Sequence, residues 1–340
     1  MKAAVWKDAG KIEIEEIPEP SPGKGEVLVR VRAAGICGTD LAIYQGKFPK
    51  ERAVPPRVLG HEFSGEIADV GAGVKEFRGG ERVVVDPLIS CGSCFACSSG
   101  FPHVCATLKI IGIDVDGAFA EYVVSPADRV HLLPARIPFE TGAAVEPLAV
   151  AVHAVRRSGL AVGDSALVVG GGPIGILVAL VTRALGAQKV LVTELQEYRL
   201  DMVKEMELSS INPLKEDLKR SISARFGLTG PDIVFEASGT AAGFQQAIDF
   251  VRIRGSIVEV SLPKVKTDLD MRRVNFGELT LLGSRVYSPI DIESAISFLA
   301  DGKLRLESLL KTYPPEESQV LFGALVSGEG KLMKVILNFS

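Results

Sequence analysis

Ser165-Ala166-Leu167-Val168-Val169-Gly170-Gly171-Gly172-Pro173-Ile174-Gly175 is the stretch that decides the fold. An apolar run of strand length meets G-x-G-x-x-G, and an apolar segment then continues to Leu185, where Gly186 closes it. A buried strand, a glycine turn and a helix with a glycine cap form the context in which this motif holds a pyrophosphate at a helix N-terminus. Gly170, Gly172 and Gly175, with Pro173 and Ile174 between the last two, are the candidate contacts.

The next strand-like run, Lys189-Val190-Leu191-Val192-Thr193, ends at Glu194. An acid there accepts hydrogen bonds from the adenosine ribose and repels a 2′-phosphate, which favours NAD over NADP. Arg199 qualifies the preference, because it is placed to stack on adenine or to meet a phosphate. The pattern then repeats: Ile233–Glu236 reads as a strand, Ala237-Ser238-Gly239 as a turn, a helix runs through Phe250, and Gly255 precedes the strand 256–260. Alternating strands and helices of these lengths predict an α/β, doubly wound parallel sheet over residues 150–285.

Residues 1–149 have another texture, with short alternating strands, Gly and Pro punctuation and a cysteine loop, and they predict a β-rich, barrel-like domain. The segment 286–340, with a helix near 292–299 and a strand near 333–337, is too small for its own core and is expected to rejoin that first domain.

Four of the five cysteines, Cys91, Cys94, Cys97 and Cys105, follow C-x2-C-x2-C-x7-C in the loop 91–105. Four thiolates close a tetrahedral shell around zinc, and a shell closed by protein is structural. Cys37 stands apart in Cys37-Gly38-Thr39-Asp40, and Gly60-His61-Glu62 opens a later strand. A Cys, a His and a carboxylate make a mixed zinc shell that leaves one position open for water or substrate, so this set suggests a catalytic metal. Glu146, in Val145-Glu146-Pro147-Leu148, is a carboxylate among apolar neighbours, and it competes with Glu62 for the third ligand position.

The chain has 340 residues, 47% of them hydrophobic, 24% charged, with a formal net charge of −4. Its mean hydropathy is +0.25 and its isoelectric point is near 5.8. Disordered and fibrous classes are excluded, and nothing in the charge favours nucleic acid or anionic lipid. The longest apolar run falls short of a bilayer span and no signal-type segment opens the sequence, so a cytoplasmic protein without a membrane partner is expected. Three Asn and six Gln are few, the direction of thermophile compositions.

Taken in order, Cys37-Gly38-Thr39-Asp40, Gly60-His61-Glu62, the four-cysteine loop, Glu146-Pro147-Leu148, the glycine fingerprint and Lys331-Leu332-Met333-Lys334-Val335 resemble the zinc-dependent medium-chain dehydrogenase/reductase family over essentially the whole chain. The stretch from Glu146 to His153 is similar to the polyol branch, sorbitol dehydrogenase and its relatives, and also to L-threonine 3-dehydrogenase. The resemblance implies a GroES-like catalytic domain, a Rossmann domain and two zinc ions, one catalytic and one structural. It implies Cys37 and His61 as catalytic-zinc ligands, Glu62 as the third, and Glu146 bound directly or through water. Ile174, Glu194 and Arg199 then contact NAD, Thr39 takes the alcohol proton, and Arg285 lines the substrate pocket, although the tyrosine that adjoins it in the polyol branch is absent from Ser284-Arg285-Val286-Tyr287. The chemistry implied is oxidation of a secondary alcohol to a ketone, in which zinc lowers the pKa of the hydroxyl until an alkoxide forms and hydride passes to nicotinamide. Ala42 occupies the place of the histidine that relays the proton outward in threonine dehydrogenases, which ranks a polyol above L-threonine. A non-catalytic nucleotide-binding protein on the same fold is the reading from another class. Relatives suggest a homotetramer or homodimer.

Other residues carry plainer expectations. His103 reads as a solvated loop histidine, His131 as structural, and His153 as a satisfied helix histidine with an outside role in orienting Glu146. Tyr44 and Phe119 divide evenly between substrate pocket and core, and the run 215–220 reads as a solvated helix face.

Overall fold

The computed structural model describes residues 1–262 and 266–339. The chain divides into two compact units, Met1–Glu146 with the residues from Ser288 onward, and Pro147–Tyr287. Among the described residues no helix is long and apolar enough to cross a membrane.

The first unit is built on Glu26–Gly35, a ten-residue strand whose burial is nearly continuous because neighbours cover both of its faces. Glu62–Val70 and Tyr122–Pro126 pair with it antiparallel. Arg82–Val85 and Val130–Leu132 extend the sheet on one side. On the other side the late strand Lys334–Asn338 pairs antiparallel with Glu26–Gly35 and parallel with Leu310–Tyr313. A second sheet of three strands, Lys11–Glu16, Lys2–Asp8 and Arg57–Val58, shares one core with the first through Val5, Val27, Val29, Phe63 and Phe119. The segment after 288 thus completes a sheet begun near the N-terminus, as its small size requires.

Register does the positioning. Gly35 lies opposite Glu62 on one side and Ile336 on the other. The end of Glu26–Gly35 therefore brings Cys37, His61 and Glu62 together with Lys334, from three separate parts of the sequence.

In the second unit six strands are all parallel, in the order Ser209–Ile211, Lys189–Thr193, Ser165–Val169, Ile233–Glu236, Ser256–Glu259, Thr280–Gly283. Parallel neighbours need crossovers, and these carry the helices Pro173–Ala184, Glu197–Glu205, Leu218–Phe226, Ala241–Phe250 and Met271–Phe276. The order reverses between Ser165–Val169 and Ile233–Glu236, the switch point at which sheets of this kind bind ligands at the carboxyl ends of their strands. Leu218–Phe226 covers part of the run read as a solvated face, and its residues Lys219 and Arg220 are exposed.

Gly175 sets how closely the first helix approaches this sheet, since a Cβ there would lie 1.9 Å from the Gly170 carbonyl oxygen. Gly175→Ala forces backbone apart at a packed contact and is expected to cost about 1–3 kcal/mol. A lowered unfolding midpoint in urea, without cofactor, checks this, and an unchanged midpoint refutes the packing role.

Candidate functional site

Cys37 precedes the short helix Gly38–Tyr44, and the Asp40 carboxylate accepts a hydrogen bond from the Cys37 backbone N–H at 2.9 Å. The other Asp40 oxygen faces His61 Nδ1 at 3.5 Å, and Asp40 is fully buried. A carboxylate on one ring nitrogen fixes the tautomer that leaves the other nitrogen free for a metal. Burial works against charging His61, yet the Asp40 carboxylate and the Cys37 sulfur outweigh it and raise the imidazole pKa well above its ordinary value. A pocket that attracts a proton this strongly also attracts a cation. The ligand atoms of Cys37, His61 and Glu62 lie within 4.8 Å of one another, a soft and mixed donor set that fits zinc.

Glu62 is 1% exposed, and one of its carboxylate oxygens accepts a short hydrogen bond from the Lys334 ammonium. Lys334 also donates to the Ile36 carbonyl at 3.1 Å. Burial lowers the lysine pKa, but Glu62, Cys37 and Glu146 together raise it above the ordinary value. Glu146, buried in the first turn of Val145–Arg157, therefore acts electrostatically on Lys334, while the group of ligand atoms is formed by Cys37, His61 and Glu62. Glu62, Cys37 and Glu146 all act on the one Lys334 ammonium, while Asp40 faces His61. Gly35 is required beside this pair, because a Cβ there would come within 2.4 Å of Glu62 Oε2.

The second cysteine set forms a separate cluster. Its sulfur separations include 3.9 Å for Cys91–Cys97, 3.5 Å for Cys94–Cys97 and 3.9 Å for Cys94–Cys105. Thiolates about 2.3 Å from a tetrahedral zinc stand about 3.8 Å apart, so these spacings fit. Backbone N–H groups of Cys91 and Thr107 donate to Cys105 Sγ at 3.3 and 3.4 Å, and that of Cys94 donates to Cys91 Sγ at 3.4 Å. The backbone N–H groups of Ser93 and Cys94 lower the Cys91 thiol pKa to about 5, so the anionic ligand form is available at neutral pH. The antiparallel pair Leu88–Ile89 and Lys109–Ile110 closes the base of the loop.

In the other unit Gly170 adopts φ +102°, and a Cβ there would lie 2.9–3.0 Å from the backbone of Ala237 and Ser238. Gly172 caps Pro173–Ala184, whose first N–H groups have no partner within the helix. Glu194, at the end of Lys189–Thr193, accepts from Gly171 N–H at 2.9 Å, Leu195 N–H at 2.7 Å and Gln196 N–H at 2.9 Å. Arg199 approaches Glu194 Oε2 at 3.6 Å and donates to the Tyr198 hydroxyl at 3.1 Å. Backbone donors, a helix N-terminus and a carboxylate so arranged are the elements of a dinucleotide cradle.

The three residues considered for the substrate pocket differ in exposure. Tyr44 and Phe119 are core residues: Tyr44 packs on Phe322 at 5.2 Å between ring centroids, its hydroxyl accepting from Gln319, and Phe119 meets Phe322 edge-on at 6.0 Å. Phe119 fills the space over Gly60, where a Cβ would lie 2.5 Å from its ring. Arg285 is exposed beyond the strand Thr280–Gly283. His103 is buried rather than solvated, held edge-on to Phe101 at 6.2 Å because the short helix Pro102–Val104 turns its side chain inward. His131 is half-buried, and burial lowers its pKa, while His153 is buried on Val145–Arg157. Asp40 and Lys334 were missed as site residues although both stood inside quoted motifs, since nothing local marks an aspartate as a histidine partner or a lysine as buried.

Asp40→Asn presents an amide N–H to His61 Nδ1 and favours the wrong tautomer, so zinc affinity at Cys37, His61 and Glu62 is expected to fall about 10–100-fold. Zinc content after dialysis against graded chelator should drop from two ions per chain toward one. Retention of both at wild-type chelator strength refutes the orienting role.

Residues 23–135 match the alcohol dehydrogenase GroES-like domain family, and residues 173–301 match the zinc-binding dehydrogenase family. The chain is 41% identical over 295 residues, 87% of its length and 86% of the relative's, to a 2-dehydro-3-deoxy-L-galactonate 5-dehydrogenase of Pseudoalteromonas atlantica. It is 35% identical to a sorbitol dehydrogenase of Halalkalibacterium halodurans, covering 99% of both chains. It is 36% identical to an L-threonine 3-dehydrogenase of Bacillus licheniformis, covering 98% of this chain and 99% of that one. With its GroES-like domain, its Rossmann sheet and relatives that are dehydrogenases over nearly their whole length, this chain is an enzyme of the zinc-dependent medium-chain dehydrogenase/reductase family.

Proposed function

We propose that this enzyme oxidises a secondary hydroxyl of a polyol or sugar-derived alcohol to the ketone, with NAD as hydride acceptor. The observation that carries the reading is the convergence of half-buried Cys37 with buried His61 and Glu62, a set that leaves one zinc position open. Similarity to the sorbitol and sugar-acid dehydrogenases supports the substrate class.

Cys37, His61 and Glu62 would hold a zinc ion, which would supply acidification of the substrate hydroxyl, and the glycine turn would hold the nicotinamide cofactor that supplies the hydride acceptor. The protein's part is to hold and move the proton. Asp40 keeps His61 in the metal-binding tautomer, and Lys334 restrains the Glu62 carboxylate. Thr39, half-buried in the first turn of Gly38–Tyr44, is the group we assign to take the hydroxyl proton. Ala42 lies on the same helix and carries no titratable group, so a histidine relay at that position is absent and L-threonine ranks below polyols. Glu146, buried within electrostatic reach of Lys334, is the acceptor we assign further along. Arg285 stays a candidate for polar substrate groups.

Glu194 supports NAD over NADP, since an acid at the end of this strand accepts from ribose hydroxyls and repels a 2′-phosphate. The exposed edge strand Thr280–Gly283 and the exposed Phe95 and Phe276 support a homodimer or homotetramer.

The test is NADH formation from sorbitol, xylitol, inositols, hexonates, 2,3-butanediol and L-threonine, each repeated after chelation. Chelator-sensitive turnover of a polyol or sugar acid is the expected result, and L-threonine as the best substrate reverses the ranking. Glu146→Gln should lower kcat by about two orders of magnitude, the usual size of acid–base loss. Turnover at the wild-type rate removes Glu146 from the proton path. Parallel assays with NADP should show the weaker kcat/KM, and a preference for NADP refutes the part given to Glu194.

A further inference from the structure

At the carboxyl ends of two adjacent parallel strands, Glu236 and Glu259 lie side by side in register. Glu236 is 1% exposed and collects donors: the N–H of Ser238 at 2.9 Å, the N–H of Gly239 at 3.1 Å and the Ser238 hydroxyl. These donors reach both of its oxygens, Oε1 from Ser238 and Oε2 from Gly239, so Glu236 acts here as the acceptor. Ser261 Oγ lies 2.7 Å from Glu236 Oε2 and 2.5 Å from Glu259 Oε1. A hydroxyl has one proton to give, so one of these two contacts needs a proton from the other partner. Glu259 is the partner able to supply it. Its second oxygen, Oε2, is buried without a hydrogen-bond partner among the described residues, a position far less costly for the carbonyl oxygen of an acid than for a carboxylate.

We propose that Glu259 is a positioning residue, held as a neutral carboxylic acid whose O–H donates a hydrogen bond to Ser261 and, through Ser261 and Glu236, fixes the 237–240 turn against the glycine fingerprint. The relay runs from the Glu259 carboxyl O–H to Ser261 Oγ, and from the Ser261 O–H to Glu236. Ser238 continues it on the far side, 2.9 Å from Thr240 Oγ1, and Thr240 caps the helix Ala241–Phe250 by accepting from Gly243 N–H at 3.0 Å. The same turn forms the wall against Gly170, where an added Cβ would lie 2.9 Å from Ser238 N. The consequence for cofactor rests on the dinucleotide reading of this unit. This half of the sheet lies beyond the switch point from Glu194, on the side that takes the second nucleotide.

Burial pushes the Glu259 carboxyl up to about 7, and the charge of Glu236 adds to the shift against the lowering effect of Ser261. Among the described residues, Glu236 is the charged group facing it from Ile233–Glu236. On the other neighbour, Thr280–Gly283, its register partner is Gly283, which brings no charge. The folded chain holds this proton more tightly than the unfolded chain, whose Glu titrates near 4.5. Stability from this group is therefore full below pH 4.5, declines as pH rises and is lost above about 7. Two adjacent carboxylates then repel and slacken the turn.

Glu259→Gln keeps a donor for Ser261 and removes the titration, and Ser261→Ala breaks the relay. The experiment measures melting temperature and NADH affinity by fluorescence, from about pH 5.5 to about pH 8.5, on the zinc-loaded proteins. The melting temperature of Glu259→Gln relative to wild type should rise across that range, and wild-type NADH affinity should weaken by up to about tenfold while the variant's stays flatter. Ser261→Ala leaves Glu259 titrating but breaks its link to Glu236, so it should keep a pH-dependent melting temperature while its NADH affinity falls below that of Glu259→Gln across the range. Parallel pH profiles in wild type and Glu259→Gln overturn the proposal. Absence of NADH binding in both proteins overturns the dinucleotide reading, and the melting comparison then decides the proton on Glu259 by itself.

Discussion

A lysine ammonium buried beside a carboxylate is the constraint on which the first unit depends. Lys334 is 5% exposed and Glu62 1%. Taking either ion out of water alone costs several kcal/mol, so each is tolerable only with the other in place. Their pairing ties the returning strand Lys334–Asn338 to the strand that begins the site, and Gly35 between them leaves the required room. The final segment is thus both structural support and part of the electrostatics of the metal cluster. Asp40 faces His61, and Glu62 and Glu146 act on Lys334, so acids and bases of the pocket are matched across three segments of the chain.

The second unit uses one device twice. Glu194 and Glu236 each end a parallel strand, and each gathers backbone N–H groups of the turn that follows. These N–H groups would be orphaned at the sheet's edge, and a carboxylate satisfies several at once while giving the turn one conformation. Glu194 reaches across to Gly171 and Glu236 supports the turn that abuts Gly170, so the two acids brace the glycine loop from either side.

The two metal clusters show different relations between sequence and space. The four-cysteine loop is local: its ligands fall within a short segment closed at the base by a two-stranded pair, and spacing alone announces it. The Cys37, His61 and Glu62 set is assembled by register, because Gly35 and Glu62 face one another across two long strands. Both were visible as residue types. The glycine fingerprint, the parallel sheet and the terminal strand's return were visible too, since periodicity and glycine placement report local backbone requirements directly.

The residues that escaped such reading depend on distant neighbours. Tyr44 and Phe119 belong to the core because Phe322, far along the chain, packs against both rings. His103 is buried by a turn too short to leave a periodic signal. Sequence by itself determined the elements and the donor atoms, for these follow from side-chain chemistry and local pattern. Tertiary structure alone decided which charges share a pocket: Asp40 behind His61, Lys334 on Glu62, Glu259 against Glu236. Desolvation and partnership are properties of a place, and only the folded chain makes the place.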